Sequence, residues 1–270
     1  MKFQFERYKM EEKFKWSGQQ YSMANGLQSH IGTQLLSGIP FTDDALVLDV
    51  GCGSGNLTFA IAEQVPNGRV VAIDLSESMI EKCKAESKKS KIENVLFKVQ
   101  GINDINFKEE FDIIFSNSVL HWMLNIEDAA GRLYRALRNN GVAALQFPLL
   151  NAQHPLVSYA NRAIEEMQIS GYYTGWKFPW YVPTAEEFYR VLVYAGFNNP
   201  NVFETSNIFE FENAEAVYQH FQSVGLELYA DVLPKDKREE YLKTILEDLR
   251  SDFSGKADLI YHRLFAYADK

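Results

Sequence analysis

An acidic residue followed by three closely spaced glycines could bind a nucleotide-like ligand. The run is Leu48-Asp49-Val50-Gly51-Cys52-Gly53-Ser54-Gly55. Glycines let the backbone turn tightly and let a ligand approach without a Cβ atom in the way. A dinucleotide-binding fingerprint requires Gly or Ala at the position that Asn56 occupies here. The Asp49 carboxylate would also repel a pyrophosphate, whereas it suits a cationic ligand.

A second acid, Asp74, lies 19 residues after Gly55 and ends the apolar run Arg69–Asp74. An acid at this position can accept hydrogen bonds from both hydroxyls of a ribose. The two acids together indicate an adenosine ligand with a positively charged tail rather than a phosphorylated one. The structural alternative is an ordinary glycine turn with an acid that caps a helix.

These residues lie where strands and helices are predicted to alternate. Strands are predicted at 45–49, 69–74, 95–99, 111–115, 142–147, 202–211 and 259–268, and helices at 56–65, 76–88, 126–138, 184–195, 214–224 and 235–253. This alternation predicts a doubly wound α/β fold with a mostly parallel, seven-stranded, Rossmann-like sheet and a helical, aromatic cap. Ligands bind beyond the carboxyl ends of parallel strands, so the loops after residues 49, 74, 99 and 115 should form the site.

Composition narrows the class of partner. The formal net charge of −9 does not favour nucleic acid, because neutralising phosphates requires clustered Lys and Arg. Cys52 and Cys83 show no CxxC spacing and no nearby His, so we expect no metal. No apolar run approaches the roughly 20 residues that span a bilayer, and the N-terminus lacks the core of a signal peptide. We therefore expect a cytoplasmic protein with no membrane partner; the sequence does not predict its oligomeric state.

The motifs resemble those of class I S-adenosylmethionine-dependent methyltransferases. The resemblance rests on residues 49–55, on Asp74 and on the run FDIIFSNSVLHW at 111–122, and it covers roughly residues 15–148. Within that family, the Leu-His-Trp ending, Tyr21, Gln28 and the aromatic C-terminal half are similar to small-molecule carboxyl methyltransferases. The trans-aconitate and juvenile hormone acid enzymes are the groups that these features resemble.

The resemblance implies a cofactor, S-adenosyl-L-methionine, whose product is S-adenosyl-L-homocysteine. Gly51 and Gly53 would lie against its methionine portion, with Asp49 near the ammonium group. Asp74 would hold the ribose, and Asn117 would contact the methionine portion through its backbone. The implied cofactor-binding residues are Asp49, Gly51, Cys52, Gly53, Asp74, Leu75, Met79, Gln100, Gly101, Ile102 and Asn117.

The adenine contacts depart from the family pattern. Leu75 and Met79 would pack on the ring, although Met79 also has the helical spacing of a core residue. The family often carries an acid for the adenine amino group where this chain has Gly101. Ile102 could still offer its backbone N–H and its apolar side chain, and Gln100 or Asn103 could supply the polar contact.

The resemblance also implies where the methyl acceptor lies. In the juvenile hormone acid group, a Gln of the N-terminal segment and the Trp after the fourth strand hold the substrate carboxylate, and Gln28 and Trp122 occupy matching places. Each can donate an N–H to a carboxylate. Tyr21 is a further candidate. The alternative is that Trp122 packs under the cap and Gln28 faces water.

The segment 170–183 (SGYYTGWKFPWYVP) is expected to roof the acceptor pocket, with Tyr173 and Trp176 as acceptor-binding candidates. A satellite hydrophobic cluster under a loop is the alternative. No Arg stands out as a carboxylate clamp, although Arg132, Arg135 and Arg190 stay open, so the expected acceptor is a small, rather apolar organic acid.

Three regions are expected along the chain. They are an N-terminal helical lid segment at 1–40, a cofactor-binding α/β core at 41–150, and a remainder at 151–270 with cap insertions at about 151–183 and 213–256. We expect methylation of a carboxylate by direct in-line transfer. Alternatives are C-, N- or O-methylation of another metabolite with a base such as His121, a nucleotide-binding oxidoreductase, or a non-catalytic cofactor-binding protein.

Overall fold

The computed structural model describes residues 30–151 and 153–270, and within them a seven-stranded sheet forms the centre of the fold. The strand order is β3-β2-β1-β4-β5-β7-β6; β1 to β5 are parallel, and β7 is antiparallel to both of its neighbours. The predicted doubly wound, mostly parallel sheet is therefore confirmed. The strands are β1 (Leu46–Val50), β2 (Arg69–Asp74), β3 (Val95–Val99), β4 (Phe111–Asn117), β5 (Leu137–Pro148), β6 (Asn198–Phe211) and β7 (Ala257–Asp269).

Helices connect the strands and cover both faces of the sheet. Helix α1 is described over residues 30–36. The others are α2 (Asn56–Gln64), α3 (Glu77–Ser90), α4 (Ile126–Ala136), α5 (Pro155–Glu166), α6 (Ala185–Ala195), α7 (Ala214–Val224), α8 (Leu226–Ala230) and α9 (Lys235–Asp252). Short 3₁₀ turns lie at Ile102–Asp104, Leu120–Trp122 and Ser170–Tyr173. Helices α5 and α8 were not predicted from the sequence.

Strand β5 begins earlier than its apolar run suggests. The sequence predicted a helix to 138, but α4 ends at Ala136 and Leu137 already pairs with Phe111 of β4. The next pair joins Val142 to Ile113, so the intervening residues of β5 bulge out opposite Asp112 alone. The prediction was wrong here because a long-range strand pairing overrides the local helical pattern.

The two faces of the sheet bury separate apolar clusters. Side chains alternate along each strand, so neighbours such as Val47 and Leu48 enter opposite clusters. Leu48 packs with the inner faces of α4 and α6, including Leu133 and Phe188. Val47 packs with α1 and α2, where Leu35 is buried. This two-sided burial fixes the register of β1, and with it the position of the loop that follows β1.

A third cluster forms a cap above the carboxyl ends of the parallel strands. It joins α5, α7, α8 and α9 to the aromatic segment 170–183, with Tyr241, Phe221 and Leu156 fully buried. Its base is the pair β6 and β7, which continue past the last pair between β5 and β7, Pro148 with Arg263. The cap thus lies over the edge where the site was predicted. None of the helices described at 30–151 and 153–270 is both long and apolar enough to span a bilayer.

Candidate active site

The glycine turn (residues 51–55) follows β1 and is held by the neighbouring strand. The backbone N–H groups of Gly51 and Cys52 both donate to Ile73 O, at 2.8 and 3.0 Å. Gly51 has φ of 77°, a left-handed value that favours glycine. A Cβ atom there would lie 2.1 Å from Cγ2 of Val119. The turn therefore needs glycine because the loop after β4 packs directly against it.

Asp49 is a buried acid beneath the glycine turn, with only 2% of its surface exposed. Its Oδ2 accepts a hydrogen bond from Thr58 Oγ1 at 2.6 Å. Burial raises the pKa of Asp49 to about 7; the Thr58 bond lowers it, and Asp74 raises it slightly. Because this carboxyl group is close to half ionised at neutral pH, a nearby cation would favour its ionised form.

Asp74 fixes the glycine turn to the start of α3. Its Oδ2 accepts from Gly53 N–H at 2.9 Å and its Oδ1 accepts from Ser76 N–H at 2.8 Å. Burial raises the pKa of Asp74, while these two backbone bonds oppose the rise. Each carboxylate oxygen has a second lone pair, so Asp74 can still accept hydrogen bonds from a ligand.

Cys52 lies within the turn and contributes a neutral thiol. Its hydrogen bond to Cys83 and its burial both raise the pKa of this thiol. Cys83 in turn donates from Sγ to Gly53 O at 3.3 Å. The turn therefore packs on the sulfur atoms of Cys52 and Cys83, close to the carboxyl groups of Asp49 and Asp74.

The edge beyond β2 and β3 presents apolar surface next to polar groups. Leu75 is 64% exposed, whereas Met79 is buried in the core with 5% exposed. Ile102 is buried, and a Cβ atom on Gly101 would lie 2.8 Å from Leu75 Cδ2. A flat ring can therefore stack on Leu75, close to the Gly101 backbone.

Asp104 is an acid at this edge that sequence reasoning missed. Its Oδ2 lies 3.3 Å from the position that a Cβ atom on Gly101 would take. Gln100, one of the expected substitutes for the family's acid, donates its side-chain amide to Asp104 O at 2.9 Å; Asn103, the other, is exposed. The sequence contains this acid three residues after Gly101. Only the 3₁₀ turn at Ile102–Asp104, however, brings its carboxylate next to Gly101.

The β4 loop (residues 117–122) borders the glycine turn and carries the predicted His-Trp pair. The side-chain nitrogen of Gln146 donates a hydrogen bond to Asn117 Oδ1 at 2.7 Å. His121 is 3% exposed, its ring lies 5.1 Å from that of Trp122, and among the described residues its Nδ1 has no hydrogen-bond partner. Burial, with the charges of Arg263 and His154, holds the pKa of His121 well below its usual range.

The aromatic segment 170–183 contacts both the β4 loop and the cap helices. Trp180 lies 4.2 Å from the His121 ring and 4.8 Å from the Trp122 ring, centroid to centroid. Tyr173 donates its hydroxyl to Tyr229 O of α8 at 2.9 Å. Trp176 lies 4.9 Å from the Tyr229 ring. The segment therefore joins the predicted acceptor residues His121, Trp122, Tyr173 and Trp176 into one continuous aromatic wall.

The remaining acceptor candidates lie elsewhere. Tyr21 and Gln28 fall outside the described residues. Arg132 bonds to Asp128 at 2.7 Å and to a backbone carbonyl, and Arg190 pairs with Glu186 of its own helix. Arg135 is exposed on α4. The three arginines left open by the sequence are thus surface or ion-paired groups.

Arg263 on β7 is the arginine that sequence reasoning missed. It is 4% exposed, and its Nη1 donates to Ser118 Oγ at 3.2 Å and to the Gln146 side-chain oxygen at 3.1 Å. No carboxylate of residues 30–151 or 153–270 pairs with it. Burial lowers its pKa to about 10, so it stays cationic at neutral pH. In the sequence, Arg263 is the only Arg in the otherwise mostly apolar run LIYHRLFAYA, and this pattern could have indicated a buried arginine.

The strand order, the acid-flanked glycine turn and the second acid after β2 define the class of protein, an S-adenosylmethionine-dependent methyltransferase. Residues 41–196 match a family model described as a methyltransferase domain, and the chain belongs to that family. A trans-aconitate 2-methyltransferase from Sinorhizobium fredii is 26% identical over 259 residues, covering 94% of this chain and 98% of that protein.

Solved structures show the same fold. The YcgJ protein from Bacillus subtilis superposes with a TM-score of 0.62 at 16% identity, covering 90% of this chain and 98% of that one. Phosphoethanolamine N-methyltransferase 2 from Haemonchus contortus, solved with S-adenosyl-L-methionine, gives 0.57 at 16% identity and covers 89% of this chain and 52% of that one. The family match and the named relatives establish the enzyme class, a methyltransferase that uses S-adenosyl-L-methionine. The two acids and the exposed Leu75 fit this cofactor.

Proposed function

We propose that this enzyme transfers the cofactor's methyl group directly to a carboxylate oxygen of a small organic acid. The observation that carries the proposal is the burial of His121, the titratable side chain of the β4 loop, which is 3% exposed and packs against the rings of Trp122 and Trp180. Its lowered pKa makes the imidazole a weak base, and burial raises the pKa of Tyr173 to about 12. A carboxylate is already ionised at neutral pH and needs no base.

The relatives support this proposal. Proteins named trans-aconitate 2-methyltransferase, from Sinorhizobium fredii and Variovorax paradoxus, match 94% of the chain, so the likeness includes the cap as well as the cofactor-binding core. That name describes methylation of a carboxylic acid. The match in the cap matters because the cap supplies the wall of the acceptor site.

The cofactor would lie across the glycine turn. Asp49 would face its ammonium group and Asp74 its ribose, as the lone pairs left on the Asp74 carboxylate allow. The adenine ring would stack on Leu75, with Asp104 accepting from its amino group. Asn117 would contact the methionine portion, which leaves the methyl group directed toward the β4 loop.

The acceptor carboxylate would lie between the β4 loop and the aromatic segment. The neutral His121 ring and the Trp122 indole would donate hydrogen bonds to it without cancelling the negative charge that makes the oxygen nucleophilic. One carboxylate oxygen would attack the methyl carbon, and the electrons of the carbon–sulfur bond would pass to sulfur. The products are a methyl ester and S-adenosyl-L-homocysteine, and no proton is transferred. The aromatic wall excludes water and orients the nucleophile.

The test combines a substrate screen with a pH profile. Carboxylic acids, amines and phenols are incubated with methyl-labelled cofactor, and kcat is then measured between pH 6 and 9 at saturating cofactor. We expect carboxylic acids to be labelled, kcat to stay flat, and His121→Gln to lower it less than tenfold, since a positioned base usually contributes about 10²–10⁴-fold. Labelling of amines or phenols alone, or a hundredfold loss together with a titrating limb, would refute the proposal.

A further inference from the structure

Five polar side chains gather beside the acceptor site in an arrangement that the proposed transfer does not use. Thr205 and Asn207 of β6 lie opposite Arg263 and Tyr261 of β7. Directly opposed residues of antiparallel strands point to the same face. Helix α7 adds His220, whose ring centroid lies 5.4 Å from that of Tyr261. We call these five residues the β7 polar cluster.

Each member of the β7 polar cluster has a buried polar atom without a hydrogen-bond partner in the part of the chain that the structure describes. The atoms are Thr205 Oγ1, Asn207 Oδ1, His220 Nε2, Tyr261 OH and Arg263 Nε. Folded proteins satisfy nearly all buried polar groups, so isolated exceptions are few. Five exceptions on one patch indicate polar surface that is built for a ligand.

The charge of the β7 polar cluster is positive. Arg263 is a buried cation, and no acidic side chain of the described residues neutralises it. The buried His154 and His220 also lie near it. Burial is the main cause that lowers the pKa of each to about 3; at His154 the effect of His220 comes next and that of the Arg263 charge after it, and at His220 the Arg263 charge comes next. Both rings are therefore neutral donors or acceptors. Leaving a buried charge unpaired is costly. An anion is the ligand that would stabilise this surface.

The β7 polar cluster adjoins the site of methyl transfer. Arg263 Nη1 donates to Ser118 Oγ at 3.2 Å, and Ser118 lies between Asn117 and Val119 of the β4 loop. The Val119 side chain in turn fills the space above Gly51. An anion on Arg263 would therefore lie one short side chain away from the loop that faces the methyl group.

We propose that the β7 polar cluster binds a second carboxylate of the acceptor, so that the enzyme acts on acids with at least two carboxylates. The inference rests on the proposed function. An ion pair with a guanidinium would partly neutralise the reacting carboxylate, and its oxygen would then be a weaker nucleophile. The neutral donors of the β4 loop therefore bind the reacting carboxylate, and Arg263 binds the other. This replaces the apolar acid expected from the sequence.

The test compares Arg263→Met with a matched surface control, Arg138→Met. Arg138 pairs with Asp112 and is partly exposed, at the opposite edge of the sheet. The substrates are unsaturated and saturated dicarboxylic acids and their half-amides, which keep length but lose one charge. We expect wild-type kcat/KM to fall about 100-fold from diacid to half-amide, because a buried charge then lacks its partner. Arg263→Met should lose about as much on the diacid, mainly through KM, and little on the half-amide.

Two further measurements separate binding from folding. Affinity for S-adenosyl-L-homocysteine should stay within twofold in Arg263→Met, and its melting temperature should equal or exceed that of the wild type, because an unpaired buried charge is removed. Tyr261→Phe keeps the ring and removes the hydroxyl, so it should weaken diacid turnover about tenfold and spare the half-amide. Tyr261→Phe provides the test if Arg263→Met fails to fold.

The outcomes distinguish the two proposals. Equal losses on diacid and half-amide, or wild-type enzyme that uses both equally well, would overturn the role of the β7 polar cluster and leave carboxylate methylation standing. Wild-type enzyme that labels no carboxylic acid would overturn the proposed function, and the second-carboxylate site with it. A lower melting temperature with unchanged substrate preference would make Arg263 a structural residue.

Discussion

Cofactor binding should depend on the ionisation of Asp49. This dependence can be tested by measuring cofactor affinity as the pH is varied. In the free protein the pKa of Asp49 is about 7 because the side chain is buried. The bound cofactor carries an ammonium and a sulfonium, so it should bind the ionised form. Affinity should then rise as pH increases through 7 and level off above about 8.

The expected magnitude follows from the fraction of Asp49 that is ionised. With a pKa of about 7, that fraction falls roughly tenfold for each pH unit below 7, and each such step corresponds to about 1.4 kcal/mol. Between pH 8 and pH 5 the affinity for cofactor should therefore fall on the order of 100-fold, or about 2–3 kcal/mol.

The assay is isothermal titration calorimetry with S-adenosyl-L-homocysteine, which keeps the ammonium, in two buffers of different ionisation enthalpy. Binding should release about half a proton at pH 7 and nearly one at pH 6. The Thr58 hydroxyl donates to Asp49 at 2.6 Å, and this bond lowers the pKa of Asp49. Thr58→Val removes the bond, so the midpoint of the pH dependence of affinity should move above pH 7. Asp49→Asn should bind weakly at every pH. Constant affinity from pH 5 to 8 without proton release would refute the reasoning.

Protonation of Asp49, which weakens cofactor binding, should stabilise the free protein against unfolding. The folded-state pKa of about 7 exceeds the unfolded value of 3.8, so the folded state binds the Asp49 proton more tightly. This group's contribution to the free energy of unfolding is largest below pH 4 and is lost between about pH 4 and pH 7, by at most ~1.4 kcal/mol per pH unit. Melting curves of the wild type and Asp49→Asn check this difference.

Two further predictions concern the two ends of the site. Asp74→Asn keeps one acceptor oxygen but turns an NH₂ toward Gly53 N–H or Ser76 N–H, so cofactor affinity should fall by about 1–3 kcal/mol. Asp112→Asn is the matched control, because Asp112 accepts Leu46 N–H at the opposite edge; equal losses of affinity in both would contradict the assignment. Trp176→Leu opens the aromatic wall, so it should raise the acceptor KM severalfold with unchanged cofactor affinity, as steady-state kinetics and calorimetry would show; parallel loss of both would mean that Trp176 serves packing alone.

The fold class and the cofactor could be predicted from sequence because their determinants are local. Asp49 and the glycines after it lie on one strand and the turn that follows, and Asp74 ends the next strand of the sheet. The parallel pairing of β1 with β2 sets Asp49 beside Ala72, so both acids necessarily reach the same edge. The spacing of these few residues was therefore enough to predict both the fold class and the cofactor.

The proposed acceptor half could not be predicted in the same way, because its polar groups come from distant parts of the chain. Arg263 meets Ser118 across 145 residues of sequence, and Thr205 joins it only because β6 pairs with β7. In the sequence, Arg263 is one charge within an apolar run, which is equally typical of an edge strand facing water. Only the strand order buries Arg263 and leaves it without an ion-pair partner among the described residues.

Asp104 and α5 were missed for related reasons. Asp104 returns toward Gly101 through a single 3₁₀ turn, a feature too short to have a periodic signature. Helix α5 starts at Pro155, with His154 Nδ1 accepting from Leu156 N–H, and histidine is not among the residues usually preferred as a cap. In both places the local pattern was weak and the tertiary contacts decide the structure.

The length of β6 and β7 has a consequence for how this enzyme could acquire new substrates. Past the pair Pro148 and Arg263, residues 206–211 of β6 pair with residues 257–262 of β7 as a two-stranded ribbon beneath the cap, beyond the last pair with β5. Substitutions along this ribbon can reshape the acceptor chamber while β1, β2 and their turn keep their register. Selection could thus exchange one methyl acceptor for another while the residues that bind the methyl donor stay unchanged.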